Sequence, residues 1–265
     1  MQREVTSRIV LNVLEPAELV LSVAVARQYS PAEESLVVTL DGDPLEVQEW
    51  EDAHGTRLHR VTPGTGELVV EYEARIDGAA DPLPGDPVER VVYSRPSRYA
   101  ESDALAPTAA AEFDGLDGNA TLLTAVSSWV GTRLAYVPGS SLPTDGAQRT
   151  LLARKGVCRD FAHLSVALLR ATGVPARLVS VYAPGLDPMD FHAVAEAWIG
   201  GAWCVVDATT LAPRETLVRI ATGRDAADTA FLTILSGRTE LVDMTVTAVA
   251  DDLPADDLDR LVSVS

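Results

Sequence analysis

Two runs of extended-type residues, Asp190–Ile199 and Ala202–Asp207, are separated only by Gly200-Gly201. A Gly-Gly pair in that setting specifies a two-residue β-hairpin, because the turns whose twist matches paired strands need positive φ at their centre. With this loop Ile199 pairs with Ala202, which fixes every other pair: Val194 lies opposite Asp207 and His192 opposite Thr209. Side chains alternate across a strand, so His192, Val194, Trp198, Trp203, Val205 and Asp207 share one face, with His192 and Asp207 as diagonal neighbours. Diagonal Cβ atoms lie about 7 Å apart, within reach of an imidazole–carboxylate hydrogen bond. Cys204 falls on the other face with Ala193, Ala195 and Ala197. A four-residue loop keeps this register, whereas an odd-length loop would separate His192 from Asp207.

Upstream, Gly156-Val157-Cys158-Arg159-Asp160 leads into apolar residues at Phe161, Leu164, Val166, Leu168 and Leu169, a helical stripe that stops at Thr172-Gly173-Val174-Pro175. The spacing therefore puts Cys158 in the first turn of a helix. Unpaired N–H groups and the positive end of the helix dipole favour a thiolate at such a position, as does a neighbouring imidazolium. Cys204, on the opposite hairpin face, is the poorer candidate nucleophile. Its face leaves the two cysteines without a disulfide framework.

A cysteine at a helix start, a histidine on one strand and an aspartate on the next compose a Cys-His-Asp arrangement in that chain order. The stretches GVCRDFAHLSVALLRATGVPARLVSVY and FHAVAEAWIGGAWCVVDATT resemble the core of bacterial transglutaminase-like proteins, a superfamily with a papain-like catalytic arrangement. YSRPSRYAESDAL at 93–105 and LVRIATGRDAADTAF at 217–231 are similar to stretches that flank this core. The resemblance is clear over 93–245. It implies Cys158 as nucleophile, His192 as base and Asp207 as the residue that orients His192. Val194 stands where relatives often carry Trp, and Val181 where they often carry Gly, positions expected to shape a substrate cleft.

What the resemblance implies is thiol-dependent acyl transfer on a peptide or protein amide through a Cys158 thioester, with hydrolysis as the leading outcome. Crosslinking of glutamine to an amine, and an inactive binding or scaffold module on the same fold, are the alternatives. The N–H of Cys158 is the first candidate oxyanion donor and Tyr136 the second. His163, five residues after Cys158, is off its face and reads as a packing residue. His54 and His59 flank a turn signal and read as exposed. A helix-start carboxylate accounts for Asp160.

Two cysteines and four histidines without CxxC or HExxH spacing give no case for a metal, and no cofactor motif is present. The acidic residues from Asp251-Asp252 to Asp256-Asp257-Leu258-Asp259 lack EF-hand spacing. A net charge of −18 opposes binding to nucleic acid or an anionic membrane. No stretch approaches the roughly 18 apolar residues of a membrane span, and the N-terminal residues lack a cationic segment followed by an apolar one, so a cytoplasmic location is expected.

The fold expected is α+β. Six short strand signals, at 5–13, 18–26, 35–40, 45–50, 57–61 and 67–76, suggest an N-terminal β-sandwich over 1–90. A turn-rich stretch at 77–87 ends it. A transglutaminase-like α+β domain over 91–250 opens with a helix at 119–134. It carries an antiparallel sheet of 176–183, 191–199, 202–208, 229–235 and 240–249, and an acidic tail occupies 251–265.

Overall fold

The computed structural model describes residues 1–116, 120–258 and 260–265. Asn119, the expected start of the first long helix, and Asp259 of the acidic segment lie outside the described residues. The architecture is α+β, as the sequence indicates. The first strands are β1 (Gln2–Leu21), β2 (Glu33–Leu40), β3 (Asp43–Pro44), β4 (Gln48–Glu51), β5 (Arg57–Val61) and β6 (Gly66–Asp77). Helices α1 (Pro87–Val92), α2 (Ser102–Phe113) and α3 (Ala120–Arg133) follow, then β7 (Ala135–Tyr136), α4 (Ala147–Ala153), β8 (Lys155–Gly156) and α5 (Cys158–Ala171). The chain continues through β9 (Ala176–Tyr182), β10 (His192–Ile199), β11 (Ala202–Val206), β12 (Val218–Gly223) and β13 (Leu232–Ala250).

Alternation of buried and exposed residues in β1 (Val5, Ser7, Ile9, Leu11 and Val13 inward) and β6 (Leu68, Val70, Tyr72, Ala74 and Ile76 inward) turns one face of the first sheet to a core. The first two expected strands are one: β1 runs through Pro16, where shifts of register absorb the missing proline N–H. β1 pairs β6 along its first half and β5 at its end, while β13 pairs along its other edge from Arg3↔Ala250 to Leu21↔Leu232. Residues 232–235 and 240–249, assigned by pattern to the second sheet, thus belong to the first, and 229–231 lie outside any strand. Their alternation fits either sheet, and long-range pairing decides.

The second sheet has the order β11-β10-β9-β12 and is antiparallel throughout. One side of the hairpin (Ala195, Ala197, Cys204 and Val206) packs on α5, α2 and α3. At the β9–β12 side the two sheets share a core: Tyr182, Val218 and Ile220 join Val5, Ile9 and Leu68. There the Tyr182 hydroxyl donates to the carbonyl of Val23 at 2.8 Å. The segment read as an acidic tail docks along the second sheet. Val205 N–H donates to the Val262 carbonyl at 2.7 Å, which caps the free edge of β11, and Val264 is buried beside Val194 and Val205. Arg214 holds Asp256 at 3.0 Å.

Candidate active site

Gly156 and Asp160 build the start of α5. The Asp160 carboxylate folds back to accept the Val157 N–H at 2.8 Å and the Ser141 hydroxyl at 2.8 Å, satisfying a helix-end donor. A Cβ on residue 156 would lie 2.6 Å from the Asp160 Cβ, so only glycine admits this approach. Asp160 is thus more than a dipole partner, because it sets the turn that presents Cys158. The short parallel pair β7–β8 places Tyr136 beside Gly156. The Tyr136 hydroxyl interacts with both the backbone N–H and the side chain of Cys158; burial, then the Cys158 charge, push the phenol up to about 12.

The hairpin has the expected register. Ile199 pairs with Ala202 and Ala195 with Val206, with Gly200 and Gly201 at φ 62° and 88°. Asp207 follows the last paired residue of β11, and its Oδ2 lies 2.9 Å from His192 Nε2, both side chains buried. Asp207 Oδ1 accepts the Thr209 N–H at 2.8 Å and the Thr209 hydroxyl at 2.7 Å. Both carboxylate oxygens are therefore held from fixed directions. Burial works against both charges, yet the Asp207 charge and hydrogen bond, with the Cys158 thiol, raise the His192 imidazole to about 10. The His192 charge and the Thr209 donors hold the Asp207 carboxyl below its ordinary range. His192 Nδ1 is buried with no regular hydrogen-bond partner among the described residues, which leaves it free toward the thiol.

The structure thus brings Cys158, His192 and Asp207 together and leaves Cys204 out. Cys204 is buried under α5, where burial, then the Glu196 charge, push its thiol up. Val194 and Val181, expected to shape the cleft, sit in a buried cluster with Val179 and Val205. A cleft of about 520 Å³ opens at Cys158 and His192, and a second of about 350 Å³ lies on the far side of Asp207 along Tyr136, Phe161 and Thr209. Of the loop 183–190, Asp190 lines the larger cleft, whereas Leu186 is buried in the Val194 cluster.

His163 is fully buried. Its Nε2 accepts the Ala226 N–H at 3.1 Å and its ring stacks on Tyr99 with centroids 5.5 Å apart. Burial lowers it to about 3. His59 is buried and His54 half-buried with its side chain largely covered, against the expectation of exposure. His54 Nε2 lies 2.6 Å from the Tyr93 hydroxyl, His59 Nε2 lies 3.2 Å from Glu49, and burial lowers both to about 4.

One buried network escaped the sequence reading. Glu196 takes Arg177 at 2.8 Å and Arg219 at 2.6 Å, with the Arg177 guanidinium 4.0 Å from the Trp203 ring centroid. The signal was available, since Glu196 alternates with His192 and Val194 and so points inward. Removing one partner of such a cluster costs about 3–5 kcal/mol. All its carboxylate oxygens are engaged, and it does not line the larger cleft. Its place is therefore structural. Among the described residues no cluster of metal-ligating side chains occurs, and no helix is long and apolar enough to cross a membrane.

This fold and this Cys-His-Asp geometry define a family. The profile of the transglutaminase-like superfamily matches residues 107–208, and the chain belongs to that superfamily of thiol-dependent proteins. It is similar over its whole length to a candidate cysteine protease from Cytophaga hutchinsonii: the crystal structure superposes with a TM-score of 0.88 at 33% identity, covering 100% of this chain and 96% of that one. The Mycobacterium leprae protein ML0607 is 35% identical over 123 residues, 43% of this chain and 44% of that protein. Rv2569c of Mycobacterium tuberculosis is 35% identical over 143 residues, 48% of this chain and 45% of that protein. The chain thus spans a little under half the length of these curated relatives.

Proposed function

We propose that the protein hydrolyses an amide of a peptide or protein through a thioester on Cys158. The observation that carries this reading is the buried His192 Nε2–Asp207 Oδ2 contact of 2.9 Å, which leaves Nδ1 open toward the Cys158 thiol at the mouth of a cleft. The proton of Cys158 rests on His192 Nδ1, and the Asp207 carboxylate fixes the ring and stabilises its cation. Sulfur attacks the carbonyl carbon, and the developing oxyanion is received by the Cys158 N–H with the Tyr136 hydroxyl beside it. As the C–N bond breaks, Nδ1 gives its proton to the departing amine. Water then enters, Nδ1 takes one of its protons, hydroxide attacks the thioester, and the carboxylic acid leaves with the thiolate restored.

Rapid quenching during turnover of a peptide p-nitroanilide, followed by intact-protein mass spectrometry, tests this directly. The expected species is an acyl adduct on Cys158 that disappears as carboxylic acid accumulates. Product that consists of amine-exchanged peptide when an amine is supplied, with little acid, would favour crosslinking instead. No adduct and no turnover across an amide panel would favour the scaffold reading.

A further inference from the structure

The cleft at Cys158 does not end within the second sheet. Its far wall is made by the first sheet, through Ser22 at the end of β1 and Leu232 and Met244 of β13, with Phe231 between the two parts. Phe231 stacks on Phe191, the residue before His192, at 5.7 Å and 23°, and Phe191 also meets the Tyr182 ring at 5.5 Å. His163, reaching from α5, holds the Ala226 N–H and so pins the loop that leads to Phe231. The wall is thus tied to the strand that carries the imidazole and to the helix that carries the thiol.

Its chemistry is selective. The chain has 39 acidic and 21 basic side chains, yet beyond the Cys158–His192 pair itself only Arg159 and Asp190 among the cleft residues carry a charged side chain, and both lie beside that pair in the sequence. Arg159 is occupied in part by the Ser141 hydroxyl at 2.6 Å and the Leu142 carbonyl at 2.9 Å. Burial raises the Asp190 carboxyl. Deeper in, Ile220, Phe231, Leu232 and Met244 offer apolar surface, and a charge placed there would lose its hydration without a partner. Two hydroxyls interrupt it. The Oγ atoms of Ser22, which is 3% exposed, and Ser180 are buried with no hydrogen-bond partner among the described residues. Buried polar atoms are ordinarily paired, so these two point to a group brought by an occupant. A volume of about 520 Å³ lies in the range of sites that enclose a ligand.

We infer that the first sheet is part of the substrate site, and that the cleft takes a peptide whose residue on the acyl side of the scissile amide is bulky and apolar, with its backbone amide groups bonded to Ser22 and Ser180. This rests on the amide-directed reading of Cys158. The first sheet is then a specificity element rather than a cover, and an acidic or basic residue at the same substrate position is rejected.

The test uses the full chain carrying Cys158→Ala, so that binding is read without turnover. Acetylated peptide amides differing only in Phe, Leu, Asp or Lys at that position are titrated by calorimetry. The expected result is binding of the Phe and Leu peptides about tenfold or more tighter than the Asp and Lys peptides. Met244→Asp should erase the preference, and Ala227→Trp, which fills the cleft from an exposed loop position, should weaken the apolar peptides alone; circular dichroism reports whether each variant is folded. Equal binding of all four peptides, or a preference that survives both substitutions in folded protein, would overturn the inference. Iodoacetamide labelling of Cys158 in the unsubstituted chain separates the two claims. Preference without an activated thiol leaves the apolar site standing and removes the enzyme, and an activated thiol without preference does the reverse.

Discussion

Two buried imidazoles near the start of α5 are held in opposite charge states. His192 and His163 are both excluded from water, and burial alone lowers each. His192 has the Asp207 carboxylate at 2.9 Å and is raised to about 10. His163 accepts a backbone N–H and stacks on Tyr99, and it is lowered to about 3. The neutral ring of His163 is a packing piece with a fixed tautomer, whereas the charged ring of His192 faces a thiol and, in the proposed reaction, carries its proton. Burial by itself makes a histidine inert; a hydrogen-bonded carboxylate inside the same low-dielectric region makes it reactive.

Removing that carboxylate should make His192 resemble His163, and this is the largest effect expected. Asp207→Asn is predicted to lower amide turnover by about 10³–10⁴-fold with the fold retained, measured as kcat/KM on a peptide anilide. The linkage carries a sign as well. The folded value of His192, about 10, lies above the ordinary 6.5, so its contribution to stability is full below pH 6.5 and is lost as pH rises through about 10. Denaturant titrations should show that alkaline decline shrink in the variant.

Tyr136→Phe leaves both imidazoles untouched and removes only the hydroxyl beside the Cys158 N–H. A loss of about 10²-fold in kcat, with KM little changed, is expected for an oxyanion donor. An unchanged kcat would assign the ring to packing on Phe161 alone.

The smallest effect concerns His163. Its folded value lies below the ordinary one, so the unfolded chain takes up the proton first as pH falls from about 6.5 toward 3, and stability declines across that window by an amount on the order of 4 kcal/mol. His163→Gln should flatten the decline by about one proton in the slope of unfolding free energy against pH. An unaltered slope would mean that other groups, such as His54 and His59, account for the acid sensitivity.

The reactive half of this comparison was legible in the sequence, and the inert half was less so. Gly200-Gly201 fixed a register in which His192 and Asp207 must meet, because a two-residue turn leaves no freedom in pairing. Cys158 was readable from the glycine before it and the stripe after it. His163 was readable as a packing residue off the Cys158 face, but its partners Tyr99 and Ala226, each more than 60 positions away, were not. Nor was the partner of β13 legible. Its alternation is satisfied by either sheet, and its pairing with β1 joins residues more than 200 positions apart. The same long-range closure hid the contribution of Ser22 and Met244 to the cleft. The docking of 251–265 was masked by its acidic composition, although Val262 and Val264 carry the alternation that caps β11.

The most direct test of the central claim is the pH dependence of Cys158 alkylation by iodoacetamide, followed by peptide mass spectrometry with Cys204 as internal control and His192→Ala for comparison. A thiolate held by His192 predicts fast labelling of Cys158 below pH 7 that falls by about 10²-fold without the imidazole, while buried Cys204 stays unreactive. Labelling of Cys158 that rises only above pH 8, or that is the same with and without His192, would contradict the account.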